Sequence, residues 1–459
     1  MRLAIAVLVL VVTVGAARAV PLEVLHTLCV AQSARTLTAL PTATRDAALQ
    51  ALADAGWTTL RVDFAWSLIE PQRGQLDFTA YDALVDAARA HGLRVVGVLT
   101  GGTAWAAPAG ATDPENTPPA DPADYARFAA AVAKHWKKPP AGQTQAIAGW
   151  ELWDEPNAPT HWQPAPDAVA YAKLASAAVR AIRKVDKRVA VSTGGLASFD
   201  DVATYGANWA FLGTVGRVKA FRAHRAKFTA ASFHPSSWFF VTGAAPESSA
   251  NPLRRSLVGQ IEDFVTRESA AKIFLRPWIT ALGWHTAPMP DGGLPPGVTE
   301  AQQAQYLVRA TTLALSQGIE RICWATLVDG TDPVHVAADA FGLLRRDGDA
   351  LQPKPAWTAA QTFATQLAGT IFLQDLRDSL GLEAGAFALC FRSSAGKRTS
   401  VVFWSTGDTV PVVFSDIPDD TKTVTLTPID GGPAQTYPEG TRSVVVQLNP
   451  SPVILRIQE

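Results

Sequence analysis

Cysteine is scarce in this chain. Its 459 residues include three, Cys29, Cys323 and Cys390, which excludes a small scaffold built on disulfides and leaves at least one thiol unpaired. No cluster of cysteine and histidine has zinc-ligand spacing, and His161, His224, His234 and His285 are scattered. No metal and no cofactor are therefore expected. An excess of one charge is also missing. Forty Lys and Arg stand against 41 Asp and Glu, a formal net charge of −1, without the electrostatic footprint of a nucleic-acid binder or a basic membrane-surface protein.

Long apolar runs are lacking as well. The longest, Leu3 to Val14, is well short of the roughly 20 residues that cross a bilayer, so no membrane span is expected. With Met1-Arg2 before it and Ala17-Arg18-Ala19 after it, the run has the charged, apolar and small-residue order of a secretory signal. Cleavage after Ala19 and an exported mature protein, periplasmic or extracellular, are the expectation; an uncleaved anchor is the alternative.

What the chain does have is apolar bulk, 48% of its residues, and 14 tryptophans. That supplies a large core, and the length favours two domains. Indole rings fill cores, and they also stack on the apolar faces of sugars.

From about Val24 to Gly369, short β-branched or apolar runs alternate with longer amphipathic stretches, eight times over. The clearest strands are Thr59–Asp63, Arg94–Leu99, Ile147–Leu152, Val189–Thr193, Ala230–His234, Ile273–Thr280 and Arg321–Leu327, with a first near Val24–Cys29. Between them, stretches such as Tyr81–His91, Ala123–Trp136, Ala168–Val185 and Glu300–Gln317 carry apolar residues at helical spacing. Eight strand-helix units over this length fit an α/β fold of the (β/α)8 TIM-barrel type, with a doubly wound sheet as runner-up. Beyond Gly369 the pattern changes to short alternating runs separated by turn residues such as Asp430-Gly431-Gly432, the mark of a small antiparallel β-sandwich. The reading is a signal at 1–19, a barrel at 20–369 and a β-sandwich at 370–459.

In a barrel of this type the functional groups project from the C-terminal ends of the strands. Two segments fall there: Gly149-Trp150-Glu151-Leu152-Trp153-Asp154-Glu155-Pro156-Asn157 at the fourth strand and Trp278-Ile279-Thr280-Ala281-Leu282-Gly283-Trp284 at the seventh. With Ala55-Gly56-Trp57-Thr58-Thr59-Leu60-Arg61-Val62-Asp63, Phe233-His234-Pro235, Phe341-Gly342-Leu343 and Lys354-Pro355, they occur in the order found in the clan-A glycoside hydrolases. The chain resembles that clan from about Gly56 to Leu367, closest to the family-39 and family-5 types.

Such enzymes cleave O-glycosidic bonds with two carboxyl groups, one acid/base and one nucleophile, held about 5–5.5 Å apart when configuration is retained. By this resemblance Glu155 matches the acid/base, and Ala281 occupies the place of the nucleophile glutamate. Asp154 stands where the family carries an asparagine that holds the sugar 2-hydroxyl. The resemblance further implies sugar contacts from Arg61, Asp154, Asn157, His234, Trp284 and Trp324, with an oligo- or polysaccharide as partner. Alanine cannot attack or carry charge, which closes the covalent route. Three readings stay open: a glycan-binding protein that is inactive or impaired as a retaining glycosidase; an active glycosidase that uses another carboxylate, Asp63, Asp154 or Asp329, by an inverting or unusual route; and a disabled variant of an active enzyme or a structural partner protein.

Overall fold

A computed structural model describes residues 23–197, 202–235, 243–249, 256–292, 294–415 and 417–459; the expected signal segment, residues 1–19, lies outside them. Eight parallel strands close into a barrel in sequence order: β1 (Leu28–Ala31), β2 (Thr59–Ala65), β3 (Arg94–Thr100), β4 (Ile147–Asp154), β5 (Ala190–Gly195), β6 (Ala230–Phe233), β7 (Arg276–Leu282) and β8 (Arg321–Ala325). The doubly wound alternative is thereby excluded, because β1 pairs with both β2 and β8.

Two strands begin later than their composition suggests, and local geometry explains each. Val24–Thr27 is a helical turn, capped by the Glu23 carboxylate, which accepts from the Leu25 amide. Before β7, Lys272 and Phe274 adopt left-handed backbone, φ 59° and 53°, which breaks the extended path until Arg276.

The helices outside the barrel start on polar caps. Asp167 accepts from the amides of Val169 and Ala170 at the head of Ala168–Val185, Asp121 precedes a proline at the head of Pro122–His135, and Thr299 with Gln302 forms a capping box before Glu300–Ser316. Each cap satisfies amides that the helix itself leaves unpaired. Two tyrosines on these helices then pin the strand ends. The Tyr125 hydroxyl donates to the Leu99 carbonyl and accepts from the Trp153 amide; the Tyr171 hydroxyl accepts from Gly194 at 2.7 Å and donates to Leu152 at 3.3 Å.

Large rings fill the barrel and the layer around it. Trp150 and Phe64 meet edge to face at 5.3 Å, and Gly97 on β3 makes room for them: a β-carbon there would stand 2.3 Å from the Trp150 ring. The barrel is also fastened where it closes. Cys29 and Cys323 are register partners on β1 and β8 and form a disulfide, while Cys390 is a buried free thiol.

After a hairpin, β9 (Leu344–Asp347) and β10 (Ala350–Pro353), and the helix Pro355–Leu367, the chain turns antiparallel. Strands β11 (Thr370–Asp375), β12 (Ala386–Ser393), β13 (Arg398–Ser405), β14 (Val410–Phe414), β15 (Thr423–Pro428), β16 (Gln435–Tyr437), β17 (Val444–Leu448) and β18 (Val453–Gln458) follow. They form a six-stranded sheet in the order β11-β12-β13-β18-β15-β16 and a β14-β17 pair. One face of the sheet adds Phe391, Val402, Trp404 and Ile454 to the barrel's apolar core. The other face packs Val401, Phe403 and Leu455 with Val412, Phe414 and Val446 of the pair. Trp404 reaches back to the barrel side, its indole N–H donating to Glu247 at 2.8 Å.

Candidate active site

The polar groups at the C-terminal mouth gather around one guanidinium. Arg61 on β2 donates through Nη2 to Glu151 Oε1 at 2.6 Å and to Asp154 Oδ1 at 2.7 Å, both on β4. In an unbroken strand, residues 151 and 154 would point to opposite faces. Trp153 between them takes left-handed backbone, φ 73°, and so lets both carboxylates meet the same cation. A bulky residue in that region costs of order 1–3 kcal/mol. The Trp153 indole is buried and anchored, its N–H donating to the His161 carbonyl at 2.8 Å. Glu155 follows with φ 42°, its amide still joined to Gly195 of β5 at 2.9 Å.

Glu155 presents its carboxylate to two imidazoles. His234, just past β6, has Nδ1 2.8 Å from Oε1, and His161 has Nδ1 3.4 Å from Oε2. The second nitrogen of His234 meets the Thr280 hydroxyl of β7 at 3.1 Å. Only glycine fits at position 195 beneath this link, since a β-carbon would lie 2.2 Å from His234 Nε2 and 2.9 Å from Thr280 Oγ1. The Glu155 side chain is 25% exposed and that of Asp154 27%, so both carboxylates face the mouth. Ala281, one residue beyond Thr280, is half-buried and brings a methyl group to the end of β7.

The charges tune one another. Burial opposes the charge on Arg61, but the carboxylates of Glu151 and Asp154 outweigh it and raise its pKa further. Burial alone would raise the Asp154 carboxyl; Arg61, then His234 and His161, hold it below the ordinary carboxylate range. Burial alone would lower His234, and the hydrogen bond and charge of Glu155, joined by Asp154, raise it. Glu151, Asp154 and His234 bring ligand-type atoms within 4.8 Å of one another. Arg61 already supplies the cation between the two carboxylates, so the donor set is spent on an ion-pair network and fits a metal poorly.

Other expectations are corrected. Asn157 is buried, and its amide is consumed internally: it donates to the Ala197 carbonyl and Asn208, and accepts from the Ala197 amide at 2.8 Å. It braces the β4–β5 loops and has no amide group left for a sugar. Trp284 and Trp324, expected as sugar platforms, are 0% and 3% exposed and stack on each other at 5.9 Å. Their indole N–H groups donate to the carbonyls of Ala244 and Phe341. Position at a strand end did not reveal that both rings point into packed interior.

Of the spare carboxylates, Asp329 is 1% exposed and paired to Lys354 at 2.8 Å. Asp63 accepts from the Ala34 amide at 2.6 Å, and burial raises its pKa despite that bond and nearby Arg61. It borders an open cleft of about 310 Å³ lined also by Ala65, Thr100, Gly101, Glu115 and Asn116. Sequence reasoning passed over Glu151, His161 and Thr280. The usable signal for Glu151 was a charged residue in the middle of an otherwise apolar strand.

With this geometry in place, comparison with known proteins gives the fold a context. The Glyco_hydro_42 family profile, described as beta-galactosidase, matches residues 39–117. No curated protein matches the chain in sequence. Among solved structures, a family 39 glycoside hydrolase from the gut symbiont Bacteroides cellulosilyticus WH2 is similar at 19% identity and a TM-score of 0.69, over 95% of this chain and 82% of that one. A monomeric beta-xylosidase from Caulobacter crescentus CB15 is similar at 17% identity and 0.66, over 96% and 97%. A GH39 enzyme from Xanthomonas axonopodis pv. citri follows at 16% and 0.65, over 96% and 95%. At these identities the likeness is one of fold: the chain has a glycoside hydrolase-like barrel with a C-terminal β-sandwich.

Proposed function

We propose that this is an exported carbohydrate-active protein that binds a β-linked oligo- or polysaccharide at the barrel mouth and cannot act as a retaining glycosidase through a carboxylate of its own. The observation that carries this reading is the asymmetry of the mouth. Glu155 supplies a carboxyl group positioned by His234 at 2.8 Å, a group of the kind that exchanges protons with a glycosidic oxygen, while Thr280 and Ala281 at the end of β7 supply no carboxylate. Asp154 and the Arg61 network add polar groups suited to sugar hydroxyls. Export is supported by the order of residues 1–19 and by the Cys29–Cys323 disulfide, a bond that persists in oxidising compartments.

Two measurements test the reading. Calorimetry against a panel of β-linked oligosaccharides is expected to detect a ligand whose affinity falls when Asp154 and Glu155 are both replaced by alanine. Hydrolysis of p-nitrophenyl β-glucoside, β-galactoside and β-xyloside is expected to stay near background and to rise in Ala281→Glu. Loss of a nucleophile costs on the order of 10⁶ in rate where it has been measured. Ordinary turnover of these 2-hydroxy glycosides by the unmodified protein would place a different carboxylate, with Asp63 the first to replace, in charge.

A further inference from the structure

The pair Asp154-Glu155 suggests where a nucleophile comes from when the protein lacks one. We propose that the mouth hydrolyses β-glycosides of 2-acetamido sugars, with the substrate's own acetamido oxygen as nucleophile, Asp154 holding the acetamido N–H and Glu155 as acid and then base. The proposal rests on the saccharide-binding reading above and names its substrate class.

Three observations converge on it. Ala281 is small and half-buried at the end of β7, and an acetamido group has as many non-hydrogen atoms as a glutamate side chain has beyond its β-carbon. A substituent of that size on the sugar would stand in for the nucleophile side chain that Ala281 lacks. The residue directly before the acid is an aspartate, and consecutive residues are suited to reach vicinal atoms of a ring, the oxygen on C1 and the nitrogen on C2. Finally, Asp154 is held as an anion with one oxygen committed. Oδ1 takes the Arg61 guanidinium at 2.7 Å, and among the described residues Oδ2 has no hydrogen-bond partner. Arg61, His234 and His161 keep the carboxyl ionised. An ionised acceptor suits an amide N–H that becomes more positive as the reaction proceeds.

The steps balance. The acetamido carbonyl oxygen bonds to C1 from the face opposite the leaving group, which requires the trans arrangement of a β-glucosaminide or β-galactosaminide. The bond from C1 to the leaving oxygen breaks as protonated Glu155 gives that oxygen its proton. The product alcohol departs and a cyclic oxazolinium remains, its N–H donating to Asp154. Water then attacks C1, Glu155 takes its proton, and the ring opens to the free sugar with the acetamido group restored. Two displacements at C1 leave the β configuration intact. No oxidant, metal or cofactor is consumed. An internal nucleophile is available at an effective concentration of 10⁵–10⁸ M, so its presence on the substrate decides the rate.

The full-length protein is assayed on p-nitrophenyl N-acetyl-β-glucosaminide and N-acetyl-β-galactosaminide beside the corresponding β-glucoside and β-galactoside. At least one 2-acetamido glycoside is expected to react about 10³-fold faster in kcat/KM than its 2-hydroxy counterpart, and proton NMR is expected to show the β-sugar as first product. Replacing N-acetyl by N-trifluoroacetyl weakens the carbonyl oxygen and is expected to slow the same protein about 10-fold or more, a test that needs no variant. Asp154→Asn is expected to lower kcat about 100-fold on the acetamido substrate. Ala281→Glu is expected to reverse the preference, losing the acetamido substrate while gaining the 2-hydroxy one. Equal rates on both classes, an α-sugar as first product, or indifference to fluorination would overturn the proposal. No turnover with saccharide binding still seen by calorimetry would overturn it and leave the binding reading standing. No turnover and no binding would remove both.

Discussion

The ends of β4 and β7 face the same mouth and are built on opposite principles. At β4, three carboxylates, Glu151, Asp154 and Glu155, crowd against Arg61, His234 and His161, and the backbone bends into left-handed conformations at Trp153 and Glu155 to bring them there. At β7, Thr280 meets His234 through its hydroxyl, and Ala281 adds no charge. Strain and buried charge are expensive to keep. Their concentration at β4 is what the proposed saccharide site calls for, while β7 adds a hydroxyl and a methyl and no charge. An alternative is that the β4 network exists only to hold the barrel together, and the two can be separated experimentally.

The strongest way to break the contrast is to remove its central cation. Arg61→Ala leaves the wholly buried Glu151 and its neighbour Asp154 without their shared partner, and losing one member of such a network typically costs about 3–5 kcal/mol. Urea denaturation is the measurement. The same experiment on Ala281→Ser is expected to move stability by about 0.5 kcal/mol or less, because that site makes no ionic contact. A small effect of Arg61→Ala would show that water replaces the guanidinium readily and that the network is not a stabilising device.

Thr280→Val tests the polar contribution of β7. It keeps the shape and strips the hydroxyl from buried His234 Nε2, which leaves a buried ring nitrogen unpaired at a cost of about 1–3 kcal/mol. Next in size is Trp324→Phe, expected to cost about 1 kcal/mol from the lost donor to the Phe341 carbonyl. Its thermal midpoint should fall only slightly, since Trp284 still packs against a ring there.

These sizes also explain what the sequence made legible. Eight alternations of apolar strand and amphipathic helix carry the barrel, because strand and helix periods are local properties. So are the turn residues that separate the C-terminal strands. The Cys29–Cys323 bond is not local: three cysteines allow three pairings, and only barrel closure makes β1 and β8 neighbours. Val24–Thr27 reads as strand by composition and becomes a turn because Glu23 caps it. At the mouth, Glu155 and Ala281 stand out by position in a motif. Asn157, Trp284 and Trp324 were expected to face a sugar on the same grounds, and each instead spends its polar atoms on nearby carbonyls or amides, which depends on loops brought together only by folding. His161 and Thr280 enter the site for the same reason, through contacts made across the mouth.

The finest test uses pH on the residue that joins the two ends. His234 touches Glu155 on one side and Thr280 on the other, and the charges of Glu155 and Asp154 raise its pKa in the folded protein although burial acts in the opposite sense. A histidine raised on folding contributes stability that is fully present below its unfolded pKa of about 6.5 and is lost as pH rises through the folded value. Asp154 works in the opposite window: held low by Arg61, it contributes above its unfolded pKa of about 3.9 and is lost only as pH falls through its folded value. Between about pH 5.5 and pH 9, therefore, the Asp154 contribution is constant and that of His234 changes. The stability gap between the unmodified protein and His234→Gln is expected to be wider at the lower of these two pH values, measured by denaturant titration at each. A gap independent of pH would mean that His234 titrates alike in the folded and unfolded chains, and a gap narrower at the lower pH that folding holds the ring neutral; either result would remove the charge coupling between the two ends of the mouth from the account.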